Sequence, residues 1–238
     1  MTTAPAIVVQ RSDQRPHTRI DWLDSRHSFS FGSHWDPNNT GHGLLIVNND
    51  DVVRAGSGFS THPHQDMEIV TWVLDGELEH KDSEGNHGLL SPGLAQRMSA
   101  GTGIWHSEMN PSGANDVHFV QMWVLPDTER IDPSYEQLDI NAELSKGGLV
   151  PIASGRGHEA AITIRQRGAV LWGGRLKPGE SVRTPDDRHV HVFVARGSAV
   201  IEHGGQLATG DAARLFGTGD LRLSAGDDGA EVLVWATS

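Results

Sequence analysis

No cysteine occurs among the 238 residues, which excludes a disulfide framework and a thiolate metal site and leaves His, Asp and Glu to hold any metal. That composition suits a reducing cytosol. Basic residues are the scarcer sign: 19 Lys and Arg against 31 Asp and Glu give a net charge of −12, which repels phosphate backbones and anionic membranes. Direct nucleic-acid binding is therefore disfavoured. Residues 1–10 lack a basic n-region followed by a sufficient apolar run, and no segment approaches the roughly 18 apolar residues of a membrane span. A cytoplasmic, soluble protein without a membrane partner is expected. Sustained amphipathic helical periodicity is missing as well.

What is present reads as all-β. The 28 glycines and 11 prolines punctuate short apolar runs, as tight turns between strands do. The run Glu68-Ile69-Val70-Thr71-Trp72-Val73-Leu74 is β-branched and aromatic, and Asp75-Gly76 predicts a hairpin turn before Glu77-Leu78-Glu79-His80. Residues 43–47, 96–98, 117–125 and 161–164 are further strand candidates. The strand, glycine turn and strand around Gly76 are echoed from His191 through Gly197 to His203, and Gly101-Thr102-Gly103 is echoed by Gly217-Thr218-Gly219. Two similar barrels follow from this repetition. We place the boundary in the stretch 125–148, where Pro126, Asp127 and Pro133 interrupt the apolar runs, giving domains at 1–134 and 135–238.

Histidine is abundant, at 14 residues, and two spacings locate its chemistry. His62-Pro63-His64 puts two imidazoles at i and i+2, on one face of a strand. His106-Ser107-Glu108 has the same spacing and would add a third imidazole and a carboxylate. Two such strands facing each other inside a barrel give a cage of three nitrogens and one oxygen. It suits one divalent transition metal per chain, with iron the first expectation and Mn, Ni, Cu, Zn or Co as alternatives.

The second copy serves as an internal control. Aligned on its glycines, it carries Arg183 and Pro185 for His62 and His64, and Arg222 and Ser224 for His106 and Glu108. The four are lost as a set, so the second barrel is expected to be metal-free. His189-Val190-His191 lacks a following H-x-E partner, and His80, His87, His118, His158 and His203 have none at ligand spacing. These read as surface or hydrogen-bonded histidines. Glu68 follows His64 by four residues and, in strand geometry, would share its face as a group supporting the ligands.

The segments Thr61-His62-Pro63-His64-Gln65-Asp66-Met67-Glu68 and Ala100-Gly101-Thr102-Gly103-Ile104-Trp105-His106-Ser107-Glu108 resemble the two cupin motifs of the pirin family. Trp22-Leu23-Asp24-Ser25-Arg26-His27-Ser28-Phe29-Ser30-Phe31-Gly32 is also pirin-like, and the likeness is strongest over residues 21–126. Gln65-Asp66-Met67 follows the bacterial pattern rather than the mammalian one.

The resemblance implies a bicupin of two jelly-roll barrels facing each other. It also implies a mononuclear metal on His62, His64, His106 and Glu108 and, as in several members, quercetin 2,3-dioxygenase activity, which opens a flavonol ring with O2 and releases carbon monoxide. Glu108 is then the candidate base for the flavonol 3-hydroxyl. Phe59, Met67, Met98 and Trp105 are candidates to line a slot for the planar rings, against ordinary core packing as the alternative for each. Two further readings share the same cage. One is a metal-bearing regulatory module with a protein partner, as the mammalian members suggest. The other is an enzyme acting on a different substrate.

Overall fold

The computed structural model describes residues 5–238 and is built almost wholly of strands, with one short helix at Asn141–Leu144. The run beginning at Glu68 forms the strand Glu68–Asp75, which lies in the middle of a seven-stranded antiparallel sheet. Its neighbours are Val117–Val124 on one side and Leu94–Ser99 on the other. Beyond Val117–Val124 come Leu45–Val53, Leu23–His27 and His17–Arg19, and Ser134–Asp139 closes the other edge. A four-stranded sheet completes the first barrel, in the order Gly58–His64, Ile104–Met109, Leu78–Asp82, His87–Leu90.

The second barrel is a nine-stranded sheet in which the long strands His189–Ile201 and Arg222–Thr237 pair along most of their length. This is the expected fold of two jelly-roll barrels, and they pack face to face. One core cluster joins Phe29, Val70, Trp72 and Met122 of the first barrel to Ile152, Leu171, Phe193 and Trp235 of the second.

Two features differ from the sequence expectation. Gly76 adopts φ +76°, as its turn requires, but the strands on either side do not pair as a hairpin. The chain instead crosses there from the seven-stranded to the four-stranded sheet, and Gly76 nests so closely against the Asp116 carbonyl that a Cβ would lie 2.8 Å from it. Assignment to the barrels also does not follow the chain strictly. Ser134–Asp139 hydrogen-bonds to Leu94–Ser99 and so continues the first sheet past residue 134, whereas Ala6–Gln10 pairs with Ala212–Phe216 in the second.

Candidate metal centre

The strand Gly58–His64 is an edge, which is why Pro63, lacking an N–H, is tolerated within it. It runs antiparallel to Ile104–Met109 with His62 opposite His106, so both H-x-H and H-x-E segments sit on adjacent strands as their spacing predicts. The register then shifts: Glu108 faces Phe59, leaving Ser60 and Thr61 against Ser107 alone. Such a bulge bends a strand and re-aims its side chains. Here it presents the Ser60 carbonyl to the ring of His62, whose Nδ1–H donates to it at 2.8 Å and leaves Nε2 free as a lone-pair donor. Upstream of the partner strand, Gly101 adopts φ +47° with the Ile131 carbonyl 2.1 Å from where a Cβ would stand, and Thr102 N–H donates to that carbonyl. Only glycine fits there, and this tight turn sets where Ile104–Met109 begins.

Among the described residues, one group of potential metal donors comes together, with ligand atoms of His62, His64 and His106 all within 4.8 Å of one another. Ring centroids are 4.5 Å apart for His62 and His106, and 4.9 Å for His62 and His64 and for His64 and His106. Burial, reinforced by the neighbouring imidazoles, lowers His64 to about 4 and His106 to about 3. Both rings are therefore neutral at physiological pH, the form that binds metals. Nε2 of His106 is buried without any hydrogen-bond partner, an omission a protein interior rarely tolerates unless something else satisfies the atom. Three imidazoles drawn together, with His64 and His106 held neutral, and an orphaned nitrogen fit a divalent transition ion.

Glu108 is buried and lies on the same strand face as His106, but it falls outside the close imidazole group. Its carboxylate is held elsewhere, accepting Gln121 Nε2–H at 2.7 Å and Thr71 Oγ1–H at 3.4 Å. Trp123 Nε1–H donates to Gln121 Oε1 at 3.2 Å, and its indole meets His64 edge-on at 4.9 Å, so one chain of contacts links the carboxylate to the imidazoles. On the opposite side His80 is fully buried, with Nδ1 3.4 Å from Nδ1 of His106 and Nε2 3.1 Å from Asp82 Oδ2. Burial raises the Asp82 carboxyl, but hydrogen bonds from Asn86 and His80 outweigh it and hold the group below the usual carboxylate range. No spacing in the sequence marks Thr71, Gln121, Trp123 or Asp82, because their nearness depends on sheet order.

A cavity of about 160 Å³ opens beside the site between Phe31, Phe59, Asn49, Asp51, His27 and Gln121. Asp51 accepts a hydrogen bond from Ser25, and burial pushes its carboxyl up to about 7. Phe59 is thus the one aromatic candidate that lines a cavity next to the histidines, 6.4 Å from the ring of His62.

The other candidates are placed differently. Met98 is fully buried in a core cluster with Ile69, Ala100 and Ile104, against which Met67 packs. Trp105 is 54% exposed, on the strand face opposite His106. Glu68 does not share the face of His64, since Asp66 with φ +46° ends that strand and starts another in the other sheet. Its buried carboxylate accepts Ser99 Oγ–H at 2.8 Å and the Arg165 N–H at 3.0 Å, tying the barrels together.

In the second barrel Arg183 pairs with Arg222, the cross-strand counterpart of His62 and His106, and Arg183 forms exposed ion pairs with Asp220 and Glu202. His189 and His191 project near Phe216 and Phe29 and join no donor group of the kind formed by His62.

Comparison with known proteins places the fold in a family. Residues 8–124 match the family model described as Pirin, and 151–235 match that of the quercetinase C-terminal cupin domain. The quercetin 2,3-dioxygenase of Escherichia coli K12 is 38% identical over 96% of this chain and 97% of its own. The chain belongs to the pirin family. A Mycobacterium tuberculosis protein, Rv0181c, provisionally named quercetin 2,3-dioxygenase, is 55% identical over 96% of this chain and 94% of its own. The crystal structure of the bacterial pirin YhhW from Escherichia coli in complex with nickel(II) superposes with a TM-score of 0.88 at 37% identity, covering 97% of this chain and 98% of that one. No helix among the described residues of this pirin is long and apolar enough to cross a membrane.

Proposed function

We propose that this pirin is a metal-dependent dioxygenase of the quercetinase type, with one divalent transition ion held by His62, His64 and His106 in the N-terminal barrel and none in the C-terminal barrel. The observation that carries the reading is the group of three imidazoles with the buried, unpartnered Nε2 of His106. The names of the relatives and the nickel complex of YhhW support it. When bound, the ion would act as a Lewis acid that makes a flavonol 3-hydroxyl more acidic and orients it. The chain's own part is to present neutral imidazoles, to place a carboxylate beside them and to wall the site with apolar rings.

Glu108 is the proposed base. Gln121 and Thr71 hold its carboxylate on the face shared with His106, and its place outside the imidazole group favours proton transfer over ligation. Phe59 is the proposed contact for the planar substrate. The overall reaction adds both atoms of O2 to the flavonol, opens its central ring to an ester and releases one carbon as CO.

Elemental analysis coupled to quercetin turnover under air, with Fe, Mn, Ni or Cu returned to the stripped protein, tests the reading. One metal per chain and metal-dependent loss of the flavonol absorbance is the expected result. One metal without turnover would overturn the flavonol assignment, and no metal would overturn the site itself. Glu108→Gln is expected to abolish turnover while retaining metal, whereas equal loss of both would make Glu108 a ligand.

A further inference from the structure

His80 is set apart from the other lone histidines by where it stands. His80 and Asp82 are two residues apart on the strand Leu78–Asp82, so both project to one face, and that strand pairs with Ile104–Met109 with Glu108 opposite His80 and His106 opposite Asp82. The side chains line up as Asp82, His80, His106, at 3.1 Å and 3.4 Å.

Hydrogens can be assigned along this line from the donors around Asp82. Its Oδ1 accepts the backbone N–H of Glu84 at 3.0 Å, that of Asn86 at 2.9 Å and Asn86 Nδ2–H at 3.1 Å, and Oδ2 accepts Nδ2–H at 2.9 Å. A group ringed by donors is itself the acceptor, so the hydrogen between Asp82 and His80 belongs to Nε2 of His80. Nδ1 of His80 faces Nδ1 of His106, and of two such atoms one donates and the other accepts. The hydrogen on the next contact must come from Nδ1 of His106, and this leaves Nε2 of His106 bare. The reverse assignment would put an N–H at the buried Nε2, where no acceptor meets it.

We propose that His80 and Asp82 are positioning residues that lock His106 in its Nδ1–H tautomer and so aim an unprotonated Nε2 at the metal. This rests on the reading of His106 as a ligand. A carboxylate reaching a ligand histidine commonly fixes its ring and raises its basicity. The arrangement here interposes a second imidazole, and the ring of His80 is itself steadied by stacking on Tyr135, with centroids 4.8 Å apart and planes at 29°.

The test measures Ni(II) affinity by calorimetry for the full-length protein, His80→Phe, His80→Gln and His106→Ala, together with imidazole ¹⁵N spectra of the metal-free proteins. Phenylalanine keeps the stack on Tyr135, and Asp82 keeps its donors from Asn86 and Glu84, so packing is preserved. Affinity is expected to fall roughly 10–100-fold in His80→Phe, with partial recovery in His80→Gln, whose amide offers both an acceptor and a donor. The spectra should show His106 as the Nδ1–H form in the unmodified protein and a mixture in His80→Phe.

Loss of Ni(II) binding in His106→Ala with affinity unchanged in both His80 variants would overturn the proposal. An Nε2–H form of His106 in the unmodified protein would also overturn it, whatever the variants do. If the unmodified protein bound no Ni(II), the metal reading would fall by itself, and the ¹⁵N spectra would still decide the tautomer.

Discussion

Acid should weaken the seam between the two barrels through His42. This residue lies in the loop before Leu45–Val53, and its Nε2–H donates 2.9 Å across the seam to the carbonyl of Leu215, while its ring meets His189 edge-on at 5.2 Å. Burial, only partly offset by the bond to Leu215, lowers its pKa to about 4. The folded form therefore binds fewer protons than the unfolded one, whose histidine titrates near its ordinary 6.5. Stability is complete above that value and is lost as pH falls toward about 4.

Linkage at pH 5 gives a loss of about 2 kcal/mol as an upper figure, and allowing for the partly exposed edge of the ring leaves about 1 kcal/mol. Urea unfolding of the metal-free protein, followed by tryptophan fluorescence at pH 8 and pH 5, measures it against His42→Gln, which can donate to Leu215 without titrating. His27, His64 and His106 are lowered too, away from this contact, and their contribution cancels in the difference between the two proteins, whereas His189 and His191 couple to His42 and the difference includes that coupling. Identical pH dependence in the two, or a steeper loss in the variant, would refute the reasoning.

Three other substitutions separate the scaffold from the site. Gly101→Ala must place a Cβ against the Ile131 carbonyl at positive φ, and a loss of roughly 1–3 kcal/mol is expected in urea unfolding, with weaker metal retention as the start of Ile104–Met109 shifts. Met98→Ala should cost about 2–5 kcal/mol as a core cavity without changing KM for quercetin, whereas Trp105→Ala, on the outward face, should stay within about 0.5 kcal/mol and leave turnover intact. A raised KM in either variant would return that residue to the substrate contacts.

The grouping of the three imidazoles was legible because strand geometry has a period of two: His62 and His64, and His106 and Glu108, are forced to one face each, and antiparallel pairing then brings His62 opposite His106. The comparison with Arg183 and Arg222 was legible for the same reason, since those residues occupy the same cross-strand register in the second barrel. What failed was any inference carried through a turn. The period of two predicts Glu68 beside His64 only while the strand continues, and Asp66 breaks it with a positive φ. Likewise Asp75-Gly76 signals a turn and says nothing about whether the next strand returns to the same sheet. Gln121, Trp123, His80 and Asp82 lie on strands that become neighbours of the site only through sheet order, which no local spacing encodes.

That sheet order also shows how the second barrel backs the histidine site. Along Glu68–Asp75 and Val117–Val124 the residues Val70, Trp72, Leu74, Val120, Met122 and Val124 bury into the cluster shared with the second barrel. The alternate positions turn the other way, where Thr71 and Gln121 hold Glu108 and where Val73 and Phe119 fill the first barrel. Strands covered on both faces read as nearly continuous apolar runs, which accounts for Ile69 to Leu74, where Thr71 alone is polar and points at Glu108. Polar ties fix the register of this backing: Trp72 Nε1–H donates to Glu231 at 2.9 Å, and the Arg196 guanidinium donates to the Leu74 carbonyl. A carboxylate that must hold its place beside a metal needs supporting strands that cannot slide. The second barrel supplies that rigidity from behind through these packed strands and polar ties, and needs no histidine cluster of its own to do so.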